Sequence, residues 1–207
     1  MARLELAILS GHKDSRVLSA IRTARAGRES LLSGNEAFTL FSMARAQSNM
    51  AGSMAEVGVY QGCSAKIISM ASGNADLHLF DTFEGLPEPE SSEKAWLRTG
   101  LYAAGLPSVQ AFLADRQNIS FHPGLFPQSA GYCPEARYSF VHLDVDLHAS
   151  TLACLEYFYP RMVPGGIILS HDYSYLHGVK DAFAEFLAGK PESAIELPTS
   201  QAMLVKR

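Results

Sequence analysis

The sequence predicts an α/β fold: a doubly wound, mostly parallel sheet with helices on both faces and an antiparallel strand at its C-terminal edge. Three observations predict it. From Met54 onward short apolar runs alternate with helical stretches of about ten residues, the pattern of successive strand–helix units. Two of those runs, "YSFVHLDVD" and "GGIILSHDY", finish in acids and imidazole, as strands do where a parallel sheet offers its carboxyl edge to a ligand. The chain closes with "AIELPTSQAMLVKR", two strand-like pieces around Thr199-Ser200, which a mixed sheet accepts as an antiparallel edge.

Taken in order, residues 1–50 read as a helical segment covering the site, and residues 51–207 as the ligand-binding core of a single domain. Residues 13–26 place Val17, Leu18, Ile21 and Ala24 on one helical side. Asn35 is a candidate cap for a second helix running to Ala46. Its Phe38, Leu40, Phe41 and Met43 spread around the surface, which predicts burial or a partner such as a second copy in a homodimer. "SMAEVGVY" is the first strand and "SAKIISMASG" its helix, closed by Gly73. "DLHLFDTF" is the second strand, and residues 90–116 read as helical with irregular connections. "NISFHPGLF" is the third, followed by an ill-patterned stretch to Pro134. "YSFVHLDVD", the helix "STLACLEYFYPRM", "GGIILSHDY" and the helix "GVKDAFAEFLAG" complete the core.

At 207 residues the chain suffices for one sizeable core, and a net charge of −4 leaves no basic footprint for nucleic acid. No apolar stretch approaches the roughly 20 residues that span a bilayer, and the N-terminus lacks the order of a secretory signal. Three scattered cysteines, Cys63, Cys133 and Cys154, suggest neither a disulfide scaffold nor a zinc cluster, so a reducing, cytoplasmic setting is expected.

The corner "AEVGVYQGCSA" carries Glu56, Gly58 and Gly62 straight after an apolar strand. Both glycines permit close approach of a ligand to the main chain, and the amides of Cys63 and Ser64 open the next helix as a seat for a carboxylate. Glu56 offers an anion for an ammonium group, so the corner suits an amino acid. Its spacing differs from the G-x-G-x-x-G that receives a pyrophosphate, and Glu56 would repel one. Asp81, closing the second strand, is placed to take ribose hydroxyls or to cap the next turn. An amino-acid seat beside a ribose acid points to S-adenosylmethionine rather than NAD. Phe83 and Phe126, just beyond strand ends, are candidates to flank an adenine.

Asp144 and Asp172 end strands separated by one helix, so their carboxylates should converge as oxygen ligands suited to Mg²⁺. Such a cation lowers the pKa of a bound hydroxyl, and methyl transfer needs an activated oxygen in line with the methyl–sulfur bond. Asp146 is open between a third ligand and a helix cap shared with Ser150. His148 and His171 are open between base, ligand and polar neighbour, whereas His142, between Val141 and Leu143, reads as structural. Nothing near Cys63 argues for an activated thiolate.

"AEVGVYQGCSAKII", "FDTFEGLPEP" and "HLDVDLHASTLACLEYFYPRMVPGGIILSHDY" together resemble the macrocin O-methyltransferase family over roughly residues 54–187. The resemblance implies a Rossmann-like class I methyltransferase sheet, S-adenosylmethionine, a magnesium ion and a hydroxyl acceptor among natural products or sugars. By position it implies Glu56, Gly58, Tyr60, Gly62, Ser64 and Asp81 for the cofactor and Asp144 and Asp172 for the metal. His171 stands where the family usually has a second adjacent aspartate; imidazole is a poor Mg²⁺ ligand, so the metal set of Asp144, Asp172 and His171 leaves another ion, or His171 as base, open. The rival readings are a binding module that has lost the chemistry, and a metal-dependent hydroxylase or hydrolase on the same scaffold.

Overall fold

The computed structural model describes residues 2–132 and 136–207, so Cys133 and Pro134 lie outside the described residues. Among the described residues seven strands form one sheet: β1 (Ser53–Val57), β2 (Leu77–Asp81), β3 (Ile119–Pro123), β4 (Tyr138–Leu143), β5 (Met162–Ser170), β6 (Ile195–Glu196) and β7 (Ala202–Val205). Their order across the sheet is β3-β2-β1-β4-β5-β7-β6. The pairs from β3 through β5 are parallel, while β7 runs antiparallel to both β5 and β6. The expected C-terminal pair is therefore present, with β7 slotted against β5 and the two-residue β6 outermost.

Side-chain alternation divides the sheet between two cores. Met54, Leu77, Leu79, Phe140 and Leu169 face α1 (Ala2–Leu9), α2 (Ser15–Ala24), α3 (Gly34–Gln47), α4 (Cys63–Ala71) and α5 (Leu106–Leu113). Ala55, Val57, Phe80, Val141, Leu143 and Ile168 face α6 (His148–Phe158) and α7 (His177–Leu187). A strand with apolar residues on both faces reads as an unbroken run, which is why β4 is buried along its whole length.

Three local readings change. Helix α3 is capped by Ser33, not Asn35: the Ser33 hydroxyl accepts from the Glu36 amide and the Glu36 carboxylate accepts from the Ser33 amide, a reciprocal capping box. Helix α1 lacked a sequence signal and forms by laying Leu6 and Leu9 into the core. Residues 90–105 are turns rather than helix, folded back by hydrogen bonds from Leu86 N–H to Leu101 C=O and Gly100 N–H to Leu86 C=O. Gly85 allows that fold, because with φ of 92° a Cβ there would lie 2.6 Å from the Gly100 and Leu101 main chain. Phe38 and Phe41 are half-buried against the first core. Among the described residues no helix is long and apolar enough to cross a membrane.

Candidate active site

A cavity opens at the carboxyl ends of β1, β2, β4 and β5, where the sequence placed it. The segment 29–32 between α2 and α3, and parts of the 82–102 loop, complete its walls. Gly58, Tyr60, Ser64, Asp81, Phe126, Asp144, His171 and Asp172 line it as predicted; Glu56, Gly62, Phe83 and His148 do not.

Each departure has a physical cause. Glu56 lies inside β1, not at its tip, and its side chain enters the sheet face opposite His142, its register partner on β4. Both side chains are fully buried and meet at 2.8 Å between His142 Nδ1 and Glu56 Oε1. Burial raises the Glu56 pKa, with His142 pulling the other way. The ammonium seat predicted at Glu56 is therefore a buried acid–imidazole pair, and His142 has a named partner. Gly58 needs its freedom chiefly for the protein itself: at φ of 86° a Cβ would fall 1.8 Å from the Asp144 carbonyl oxygen. Gly62 begins α4 in the left-handed region, and its missing side chain makes room for Val109 and Phe112 of α5. Phe83 turns into the first core. His148 starts α6, where its Nε2 lies 3.2 Å from Glu185 on α7.

The cofactor side of the cavity is held by main-chain hydrogen bonds. Asp81 Oδ2 accepts from the amides of Val59 at 2.6 Å and Tyr60 at 3.0 Å, while Oδ1 accepts from Phe83 at 2.6 Å. Asp81 thus braces the glycine corner and caps the next turn while still lining the cavity. Helix α4 has no side-chain cap, which leaves its opening amides for a carboxylate. The Phe126 ring stacks on Phe158 at 5.2 Å and presents its edge to Phe80, so it is fixed before any adenine arrives. Cys63 lines the cavity with its thiol pushed up to about 11 by burial, so it is not an activated nucleophile.

The opposite side is held by side-chain charge. Burial alone would lower the His171 pKa, but Asp144, Asp172 and Glu36 carry it well above the ordinary imidazole value. Nδ1 lies 2.9 Å from Asp172 Oδ2 and 3.2 Å from Asp144 Oδ1, and Nε2 lies 3.5 Å from Glu36 Oε2. Asp144, which burial would push up, falls below the usual carboxylate range under the His171 charge. Asp146 goes the other way: burial, then Asp144 and Asp172, raise it well above that range. It is no helix cap, since α6 begins at His148 after Leu147 without a side-chain cap, and the His148 amide donates to Glu93 Oε1 at 2.8 Å. Tyr60, Tyr102, Asp146 and Asp172 all have positive φ, so strained non-glycine backbone gathers at this cavity.

Asp144, His171 and Asp172 do converge, with one potential ligand atom from each within 4.8 Å of the others. Asp144 and Asp172 offer the hard carboxylate oxygens that a magnesium ion takes, whereas the His171 imidazole is a poor ligand for it and better suited to a transition metal. With Nδ1 at hydrogen-bond distance from both carboxylates, His171 is also placed to act as their countercharge.

Glu36 and Tyr102 escaped the sequence reading as parts of this arrangement, while Asp146 was left open there between a third ligand and a helix cap. Only Glu36 had a usable signal, the S-x-x-E spacing from Ser33. Its Oε1 also accepts from the Ser200 hydroxyl at 2.6 Å, which ties α3 to the turn before β7.

This strand order, with a ligand cavity over the β1–α4 corner and an acid after β2, defines a Rossmann-like class I methyltransferase fold. Residues 39–199 match the Macrocin-O-methyltransferase (TylF) family, and the chain belongs to it. It is 31% identical over 152 residues to the 8-demethyl-8-(2,3-dimethoxy-alpha-L-rhamnosyl)-tetracenomycin-C 4'-O-methyltransferase of Streptomyces olivaceus, covering 65% of this chain and 58% of that one. The demethyldecarbamoylnovobiocin O-methyltransferase of Streptomyces niveus is 27% identical, covering 73% and 63%. This chain thus spans less than two thirds of the length of either relative. The O-methyltransferase NovP has the same fold at a TM-score of 0.76 and 18% identity, covering 100% of this chain and 99% of that one.

Proposed function

We propose that the chain transfers the methyl group of S-adenosylmethionine to a hydroxyl of a small natural product, specifically of a sugar joined to it. Family membership supports the reaction class, and the names of the two Streptomyces relatives support the acceptor type. The observation that carries the reading is the meeting, in one cavity, of a braced ribose acid, an uncapped helix start and a carboxyl of raised pKa.

When bound, the cofactor supplies an electrophilic methyl group on a positively charged sulfur. The chain does the rest. The opening amides of α4 seat the amino-acid carboxylate, Asp81 takes ribose hydroxyls, and Phe126 offers its ring to the adenine. Asp146 receives the acceptor's hydroxyl proton as the oxygen–carbon bond forms and the carbon–sulfur bond breaks; its raised pKa makes it a better proton acceptor than an ordinary carboxylate. Asp144 and Asp172, locked on His171, orient the acceptor. Asp144 and Asp172 would hold a divalent cation bound at this corner, which would supply positive charge to lower the pKa of the acceptor hydroxyl.

Calorimetry with S-adenosylmethionine and its demethylated product tests the first half; no heat with either defeats the reading. Asp146→Asn tests the second half, with kcat expected to fall by about 10² to 10⁴ while cofactor affinity stays within about twofold. The acid limb of the wild-type rate profile should lie above the ordinary carboxylate range and vanish in the variant. An unchanged profile removes Asp146 from the route.

A further inference from the structure

The surroundings of His171 differ on its two ring nitrogens, and the difference bears on which cation this corner takes. Asp144 follows β4, and His171 and Asp172 follow β5, so one atom of each comes within 4.8 Å of the others. Both carboxylates address the same nitrogen: Nδ1 lies 2.9 Å from Asp172 Oδ2 and 3.2 Å from Asp144 Oδ1. The ring is only 7% exposed, and its other nitrogen, Nε2, is enclosed by protein. What Nε2 faces is a third carboxylate, Glu36 Oε2 of α3, at 3.5 Å. Glu36 is itself buried, and the Ser33 amide donates to that same oxygen at 2.7 Å.

A neutral imidazole keeps one proton, and only its bare nitrogen can bind a metal. Histidine ligands commonly turn their far N–H toward a carboxylate, which selects the tautomer and makes the near nitrogen more basic. Glu36 holds that place here. With a dication between Asp144 and Asp172, the two carboxylates no longer need the ring as their countercharge. The Nδ1 proton then leaves to solvent, and the remaining proton stays on Nε2 against Glu36. A nitrogen among the donors also changes the preferred ion. Magnesium takes carboxylate and water oxygens, whereas imidazole favours the later first-row metals.

We propose that His171 joins Asp144 and Asp172 as a ligand through Nδ1, that Glu36 is the residue positioning it, and that the corner therefore takes a first-row transition dication in preference to magnesium. The proposal goes beyond the methyltransferase reading and is tested without cofactor or acceptor. The whole chain, stripped with a chelator, is titrated with Co²⁺ and with Mg²⁺ in a calorimeter. One Co²⁺ is expected to bind at least about 100-fold more tightly than Mg²⁺. In the Co²⁺ form, proton NMR should show one exchangeable, hyperfine-shifted ring N–H, the Nε2 proton held beside Glu36. His171→Asp, which supplies a third carboxylate, should bring the two ions within about tenfold of each other. Glu36→Gln should cost Co²⁺ about 10- to 100-fold and leave Mg²⁺ within about twofold. An equal loss for both ions in that variant would overturn the positioning role of Glu36. Equal wild-type affinities, no saturable Co²⁺ binding below about 1 mM, or a Co²⁺ preference that persists in His171→Asp overturns the proposal and leaves the methyltransferase reading intact. Failure of the cofactor product to bind defeats that reading and not this one.

Discussion

The two sides of the cavity are built by different means. The β1–β2 side is a matter of main-chain geometry: Asp81 gathers the Val59, Tyr60 and Phe83 amides, and Gly58 lets the Asp144 carbonyl pass close by. The β4–β5 side is a matter of charge, with His171 surrounded by Asp144, Asp172 and Glu36. The first kind of site tolerates no added atom. The second tolerates changes of shape but responds to every proton.

Gly58→Ala should break the comparison most severely, since its Cβ would overlap the Asp144 carbonyl at 1.8 Å and force both sides apart. A loss of about 3 kcal/mol or more is expected, read by denaturant unfolding, together with loss of cofactor binding. Wild-type stability against pH comes next. His171 has a raised native pKa, so its contribution is complete below the unfolded value of about 6.5 and declines as pH rises beyond it. Asp144 and Glu36 have lowered values, so theirs is present above about 4.5 and lost as pH falls. Maximum stability is expected between those limits, and His171→Asn should remove the decline on the alkaline side. A smaller effect belongs to Asp81→Ala, which should weaken the cofactor by about 10- to 100-fold in calorimetry. Least of all, His148→Ala should leave turnover within about twofold, because its ring pairs with Glu185 on α7 rather than lining the cavity.

The same contrast explains what was legible in the sequence. Strands, helices and the glycine corner are encoded by neighbours along the chain, so their order and the position of Asp81 could be read directly. Glu56 was misplaced because strand periodicity does not say where a strand stops; one further residue, Val57, moved it from the tip into the sheet. Asp146 was ambiguous because a carboxylate before a helix reads equally well as a cap, and only Glu93, 55 residues away, settles which group serves the His148 amide. The charge state of His171 depends on Glu36, brought to it by the packing of α3, and no local pattern records that meeting.

Glu36 also works as a clamp between distant parts of the chain. The Ser200 amide and hydroxyl both bind its Oε1 across 164 residues of chain, while the Ser33 amide holds its Oε2. The carboxylate that faces His171 is thus fixed from two sides, and Ser200→Ala should loosen the acceptor corner while sparing the glycine corner.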